Sequence, residues 1–190
     1  DIEHAYLPFL EGEGLGNYFE DPVFLSRLDE PPHEDMMSAI LLWTQLFGNP
    51  TLTWNDLQFI KSQTNLPILL KGILHPDDAK LAVEHGVDGI IVSNHGGRQV
   101  DGSIPAIDAL PEIVDVVNDK IPVLMDSGIR RGSDVIKALA LGAKAVLIGR
   151  PYMYGLALAG EEGVKQVIRN ILADVDLTLA LSGKTNIRDL

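Results

Sequence analysis

Near its middle the chain reads Gly89-Ile-Ile-Val-Ser-Asn-His-Gly-Gly-Arg-Gln-Val-Asp101. The first four residues, 89–92, are apolar and β-branched enough to form a strand buried in a parallel sheet. The polar residues and two glycines that follow indicate that the strand ends there and a loop begins. In proteins built from repeated βα units, ligands bind at the carboxyl ends of the strands. Ser93, His95 and Arg98 are therefore candidate functional residues, because a histidine can accept a proton and an arginine can bind an anion.

The same strand-then-helix pattern occurs four times from residue 66 onward. The predicted strands are residues 66–72, 89–94, 122–126 and 145–149. The predicted helices after them cover about residues 75–85, 109–118, 133–142 (capped by Ser133) and 151–181, the last broken near Gly160. This alternation predicts an α/β fold with parallel strands and right-handed crossovers. A complete βα barrel has eight such units and about 250 residues, so four units form either a small open sheet or half of a barrel.

The chain before residue 66 contains no segment that predicts a strand. Residues 1–35 are rich in Glu, Asp, Gly and Pro, which favours a long surface loop. Residues 34–47 predict a helix, and its inner stripe is expected to consist of Met37, Ile40, Leu41 and Thr44. A second helix is expected to begin at the capping pattern Thr53-Trp-Asn-Asp56. We therefore divide the chain into residues 1–65 and residues 66–190.

Composition restricts the classes of function. The chain carries 15 Lys and Arg against 27 Asp and Glu, a formal charge of −12, which disfavours binding to nucleic acid or to an anionic membrane. It has no cysteine, so disulfides, thiolate metal sites and cysteine nucleophiles are excluded. No apolar run approaches the roughly 20 residues of a membrane span, and a cytoplasmic location is the expectation. An anionic ligand would need positive charge concentrated at one place.

Two glycine-containing turns carry such charge. The third predicted strand ends in Asp126-Ser-Gly-Ile-Arg-Arg-Gly132, and the fourth ends in Gly149-Arg-Pro151. Each turn places backbone N–H groups and an arginine near a predicted helix N-terminus, which is how proteins hold a phosphate. The alternative is two tight turns with solvated arginines. Lys71 closes the first predicted strand, and if it is buried it needs an anionic partner.

Together these motifs resemble the FMN-dependent α-hydroxy acid oxidases and dehydrogenases. The resemblance runs in order from about residue 50 to 183, and its most specific element is Ser93-Asn-His-Gly-Gly-Arg-Gln99. Asn17-Tyr18, Asp21-Pro-Val-Phe24 and residues 176–182 are most similar to the lactate 2-monooxygenase branch. Most family members have Asp-Gly-Gly where this chain has Asp126-Ser127-Gly128.

The resemblance implies a (β/α)8 TIM barrel of which this chain carries the C-terminal half, strands 5–8, with the long loop that precedes it. Residues 1–65 would then be the active-site lid region, and residues 66–190 half of an FMN-binding barrel. The N-terminal half, as a separate chain or a lost segment, is the implied partner. It would supply further flavin contacts and the aspartate that partners the catalytic histidine.

The resemblance also implies a role for each matching residue. His95 matches the catalytic base, and Arg98 matches the arginine that binds the substrate carboxylate. The residues that match the FMN site are Lys71, Ser93, Asp126, Ser127, Gly128, Ile129, Arg130, Gly149 and Arg150. No metal is implied.

The function implied is FMN-dependent oxidation of an L-2-hydroxy acid, first of all L-lactate, with O2 as electron acceptor, by an enzyme of the lactate 2-monooxygenase or lactate oxidase type. A homo-oligomer is expected. A glycolate oxidase or lactate dehydrogenase of the same family is one alternative. A second is a catalytically inert half-barrel that needs an N-terminal partner, and a third is an unrelated phosphate-binding βα enzyme.

Overall fold

The structure is a computed structural model, and residues 15–190 are described. The first fourteen residues of the predicted surface loop lie outside the described part. The chain divides into two compact units, Asp1–Thr53 and Trp54–Leu190. The boundary falls before the helix that the sequence predicts after Thr53, so that helix belongs to the unit that contains the strands.

The first unit contains the helix predicted over residues 34–47, and it has two short helices where the sequence favours a loop. Helix α1 covers Gly16–Phe19, α2 covers Pro22–Leu25 and α3 covers Met36–Leu46. Asp21 begins α2 by accepting a hydrogen bond at Oδ1 from the backbone N–H of Phe24 over 2.8 Å. Helix α2 forms because this cap and the proline at its first position favour a turn of helix. A small core of Leu15, Phe24, Ala39, Ile40 and Trp43 is buried.

The predicted inner stripe of α3 is wrong at three of its four positions. Met37 is 56% exposed and Leu41 is 53% exposed, and Thr44 is exposed as well. The buried face carries Ala39, Ile40 and Trp43 instead. The helix is rotated by about one residue, 100°, from the predicted orientation, because burying the large indole of Trp43 removes more apolar surface from water than burying Met37.

The second unit contains the predicted alternation of strands and helices. The strands are β1 Leu69–Ile73, β2 Gly89–Val92, β3 Val123–Met125 and β4 Ala145–Val146. The helices are α4 Leu57–Gln63, α5 Pro76–Glu84, α6 Ala106–Val117, α7 Gly132–Ala140 and α8 Arg150–Leu181. Short 3-10 turns cover Trp54–Asp56, His95–Gly97 and Ile187–Asp189. The predicted break in α8 is confirmed, because Ala159 and Gly160 have non-helical backbone angles.

The four strands form one parallel sheet in the order β1-β2-β3-β4. Strand β2 lies between two neighbours and is buried along its whole length. Its apolar side chains pack with those of α6 and β3 in one core that includes Ile90, Val92, Leu110, Ile113 and Met125. None of the helices described over residues 15–190 is long and apolar enough to cross a bilayer.

Ser133 does not cap α7, contrary to the sequence prediction. The helix begins at Gly132, and carboxylates bind the backbone N–H groups at and just before its start. Asp134 accepts at Oδ2 from the N–H groups of Arg130 and Arg131, each over 3.0 Å, and Asp174 of α8 accepts from the N–H of Ser133 over 3.1 Å. A side chain at Gly132 would clash with the backbone of Asp174. The close approach of α8 therefore brings in a carboxylate that replaces the serine cap.

Candidate active site

The loops after the four strands surround one cavity of about 380 Å³, which is within the usual range of ligand pockets, roughly 300–1,000 Å³. Because the strands are parallel, their carboxyl ends meet at the same edge of the sheet. The structure brings together at this cavity ten of the eleven predicted site residues: Lys71, His95, Arg98, Asp126, Ser127, Gly128, Ile129, Arg130, Gly149 and Arg150. Ser93, the eleventh, does not line the cavity and is only 1% exposed.

Positive charge is concentrated at this cavity although the chain as a whole is acidic. Four cationic side chains line it, those of Lys71, Arg98, Arg130 and Arg150, against one carboxylate, Asp126. The chain carries a formal charge of −12, so this local excess of cations opposes the overall balance. Such an arrangement suits an anionic ligand.

Lys71 has the anionic partner that a partly buried lysine needs. Its Nζ lies 2.9 Å from Oδ2 of Asp126 and 3.0 Å from Oγ of Ser93. Partial burial opposes ionisation of Asp126, but hydrogen bonds from Ser93, Lys71 and Ser127 outweigh it and lower the pKa of the carboxyl below its ordinary value. Lys71 and Asp126 therefore form an ion pair that connects the ends of β1 and β3.

Both backbone polar groups of Gly96, next to His95, are hydrogen-bonded to side chains. Its N–H donates to Oδ1 of Asn94 and to Oγ of Ser127, each over 3.0 Å. Its carbonyl oxygen accepts from Nη2 of Arg150 over 2.9 Å. His95 has a φ angle of 56°, in the left-handed region, and its own N–H donates to Oγ of Ser93 over 3.0 Å. The loop that carries His95 is thus bound to the turns after β3 and β4.

The two turns predicted to hold a phosphate differ in whether carboxylates already bind their backbone N–H groups. The backbone N–H groups at and just before the start of α7 are bound by Asp134 and Asp174, as described above, so an anion there would meet two carboxylates. At the start of α8, no carboxylate accepts from the N–H of Tyr152 or Met153 in the part of the chain that the structure describes. A Cβ added at Gly128 or Gly149 would contact nothing within 4 Å. The space beside both glycines, together with Arg130 and Arg150, fits a phosphate group at the α8 side of the cavity.

Sequence reasoning missed several residues of the cavity wall. Leu147, Pro151, Tyr152 and Met153 line it and could have been found, because they directly follow the end of β4. Asn94, within the Ser93–Gln99 motif, has a structural role that the motif alone does not indicate. Its side chain accepts from the N–H two residues later, which is the turn that an Asn-x-Gly sequence favours.

A second cavity of about 320 Å³ lies within the first unit. Among the described residues its wall includes Tyr18, Phe24 and Leu46, with Asp21 and Arg27 as the only charged side chains. One cation and one carboxylate give no excess of either charge. None of the predicted site residues belongs to it, and we assign it no role.

Comparison with known proteins shows what this chain is similar to. The family of FMN-dependent dehydrogenases matches residues 11–190. The L-lactate oxidase of Lysinibacillus sphaericus is 52% identical over 190 residues, covering 100% of this chain and 48% of that protein. The 2-hydroxyacid oxidase of Dictyostelium discoideum is 54% identical over 177 residues, 93% of this chain and 44% of that protein.

Solved structures show the same relationship in three dimensions. A mandelate oxidase variant with a monooxide FMN adduct superposes with a TM-score of 0.71 at 48% identity, over 75% of this chain and 45% of that one. The chain spans about half the length of the curated relatives it matches. The mandelate oxidases are TIM-barrel FMN enzymes, so the prediction that this chain carries the C-terminal half of a (β/α)8 barrel is confirmed.

Proposed function

Because the chain belongs to the FMN-dependent dehydrogenase family, whose cofactor is FMN, we propose that it supplies the phosphate-binding turns and the proton-accepting histidine of an enzyme that oxidises L-2-hydroxy acids. The observation that carries the proposal is the cavity at the strand ends, where four cations and His95 meet in an acidic protein. The match to a family excludes the alternative of an unrelated phosphate-binding βα enzyme.

Each group of the cavity has a part in holding the cofactor. Arg130 and Arg150, with the open backbone at Gly128 and Gly149, would bind the phosphate of FMN. Asp126 cannot bind it, because a carboxylate repels a phosphate; it would instead accept hydrogen bonds and hold Lys71. The backbone of Ser127 and Ile129 would complete the proposed cofactor site, and the buried Ser93 would support it by accepting a hydrogen bond from Nζ of Lys71 over 3.0 Å. Bound FMN supplies the acceptor for the two electrons that the substrate releases.

Arg98 and His95 would act on the substrate. Arg98 is exposed, and no carboxylate pairs with it among residues 15–190, so its planar guanidinium is available to bind the substrate carboxylate through two hydrogen bonds. His95 lies three residues before it on the same cavity wall. With the carboxylate bound, the imidazole would take the proton from the hydroxyl or from the α-carbon of the substrate while the electrons pass to the cofactor.

We assign L-lactate as substrate and O2 as electron acceptor, and similarity to proteins named L-lactate oxidase supports both. The test uses the complete barrel, meaning this chain together with the N-terminal part that its relatives possess. Anaerobic mixing with L-lactate, glycolate or L-mandelate should bleach the flavin absorbance, and D-lactate is the matched control. If no L-2-hydroxy acid bleaches the flavin, the proposal is wrong. Under air, pyruvate with hydrogen peroxide indicates an oxidase, whereas acetate with carbon dioxide indicates the monooxygenase type.

A homo-oligomer and a cytoplasmic location stay predictions. So does the lid role of residues 1–65. Measuring the intact mass of the purified material distinguishes two hypotheses, an active enzyme half and an inert half-barrel. The mass shows whether an N-terminal partner accompanies this chain.

A further inference from the structure

Ser127 has a backbone conformation that its residue type disfavours. Its φ angle is 73°, and it is one of four described non-glycine residues in the left-handed region. There the Cβ atom of an L-residue comes close to the following carbonyl oxygen, a steric cost that glycine avoids. Gly128, the next residue, is also left-handed, with φ of 84°. A glycine at position 127 would therefore form the same turn more easily, so the serine must contribute something that offsets its strain.

The hydroxyl group of Ser127 contributes contacts that a glycine cannot make. It donates to Oδ1 of Asp126 over 2.8 Å and accepts from the N–H of Gly96 over 3.0 Å. Oγ of Ser93 lies 3.5 Å away. A serine hydroxyl has one donor and two acceptor positions, so the contacts with Asp126 and Gly96 use its donor and one acceptor position. The contact with Gly96 joins residues 31 positions apart and connects the turn after β3 to the loop after β2.

The loop that Ser127 contacts is the one that carries His95. His95 is itself left-handed, and its N–H donates to the same Ser93 hydroxyl that lies beside Ser127. The two strained residues, His95 and Ser127, are thus held by shared partners. Without the Ser127 hydroxyl, the N–H of Gly96 would keep only Asn94 as an acceptor, and the peptide between His95 and Gly96 could rotate.

We propose that Ser127 is a positioning residue, whose hydroxyl holds the His95–Gly96 peptide against the Asp126 turn and so sets the orientation of the His95 imidazole. The proposal rests on the proposed function only in assigning proton transfer to His95. Its structural part, the fixed Gly96 peptide, is independent of what the enzyme oxidises. A displacement of about 1 Å in a reacting group can cost roughly a hundredfold in rate, so a small rotation of this peptide is sufficient to be measured.

The test compares Ser127→Ala with Ser127→Gly in the complete barrel. Both remove the hydroxyl, but only glycine also removes the left-handed strain. Asn118→Gly is the matched control, because Asn118 is left-handed with φ of 47°, ends α6 and lies outside the cavity wall. The first readout is hydrogen exchange at the Gly96 amide without FMN, which should accelerate about two- to tenfold in both Ser127 variants, the loss of one hydrogen bond, and not in the control.

The second readout separates positioning from cofactor binding. Flavin reduction by L-lactate at saturation should slow by about ten- to a hundredfold in both Ser127 variants, while the dissociation constant of FMN changes much less. Unchanged Gly96 exchange in both variants would overturn the proposal, as would equal losses in FMN affinity and reduction rate. If the unmutated enzyme is reduced by no L-2-hydroxy acid, the proposed function fails, but the exchange measurement still decides whether Ser127 holds the peptide.

Discussion

Arg150 donates a hydrogen bond from Nη2 to the carbonyl oxygen of Gly96 over 2.9 Å. The two residues are 54 positions apart in the sequence, and the contact joins the start of α8 to the loop that carries His95. Arginine has five N–H donors, so a guanidinium that uses one of them on Gly96 still has donors for a phosphate. The same side chain therefore connects the proposed cofactor site with the proposed base.

Replacing Arg150 by alanine should weaken FMN binding and also slow flavin reduction. A hydrogen bond to a charged group contributes about 1.5–3 kcal/mol, so the dissociation constant of FMN should rise by roughly 10- to 150-fold. Fluorescence titration of the complete barrel with FMN measures this. Arg131→Ala is the control, because Arg131 is adjacent to Arg130 in sequence but does not line the cavity. Unchanged FMN affinity in Arg150→Ala would contradict the phosphate assignment.

Replacing Arg98 by lysine tests the substrate site. An ammonium group keeps the charge but lacks the planar pair of donors that matches a carboxylate. We expect the KM for L-lactate to rise by about tenfold or more, the loss of at least one charged hydrogen bond, with little change in FMN affinity. Steady-state kinetics and FMN titration of the same preparation measure the two effects. Equal losses in both would mean that Arg98 holds the cofactor or the fold.

Replacing His95 by glutamine should remove the base without removing the cofactor. General base catalysis typically contributes about 10²- to 10⁴-fold in rate, so flavin reduction measured by stopped flow should slow by that factor while the protein stays yellow. His33→Gln is the control, since the side chain of His33 is 76% exposed and belongs to the first unit. A reduction rate within a factor of about three of the unmutated enzyme would exclude His95 as the base.

The Lys71–Asp126 pair should make the stability depend on pH in the acid range. The pKa of Asp126 is lower in the folded protein than its ordinary value of 3.8, so the folded state favours the ionised form. Its contribution is complete above the unfolded pKa and is lost as the pH falls through the folded pKa. Urea unfolding measures the free energy of unfolding at pH 7 and near pH 3. Between these two pH values it should decrease less in Asp126→Asn than in the unmutated chain.

The control for this pH dependence is Asp176→Asn, because Asp176 is exposed and accepts no hydrogen bond among the described side chains. It should lose as much stability on acidification as the unmutated chain does. An Asp126→Asn variant with the same acid sensitivity as the control would show that the ion pair contributes nothing measurable.

The isolated chain should not turn over L-lactate. The His95 ring has no hydrogen-bond partner among residues 15–190, and the family resemblance places its aspartate partner in the N-terminal half. Adding a separately expressed N-terminal half should restore lactate-dependent bleaching of FMN. Bleaching by the isolated chain, shown by mass to be free of any partner, would refute this expectation.

Prediction from the sequence succeeded where local patterns dominate. The four strands and the helices between them follow from short apolar runs and the glycines and prolines that end them, and the observed strands start or end within a few residues of the predicted ones. The site residues could be predicted for the same reason. Once the strands are parallel, the residues at and after their carboxyl ends must meet at one edge of the sheet, and Lys71 in β1, His95 after β2 and Asp126 after β3 do so.

Other features could not be predicted, because they depend on residues far apart in the sequence. The inward face of α3 follows from burying Trp43, which depends on what packs against it. Ser133 fits the pattern of a cap. In the structure, however, Asp174, which is 41 positions away in the sequence, accepts the hydrogen bond from the N–H of Ser133 at the start of the helix. The strained Ser127 is favourable only because Asp126 and Gly96 lie within hydrogen-bond distance of its hydroxyl. The sequence by itself determined the order of strands and helices in the second unit and the negative charge of the ligand, since periodicity, turn residues and charge are local. Only the tertiary structure decided which groups hold each other in place, since those contacts form when the chain folds.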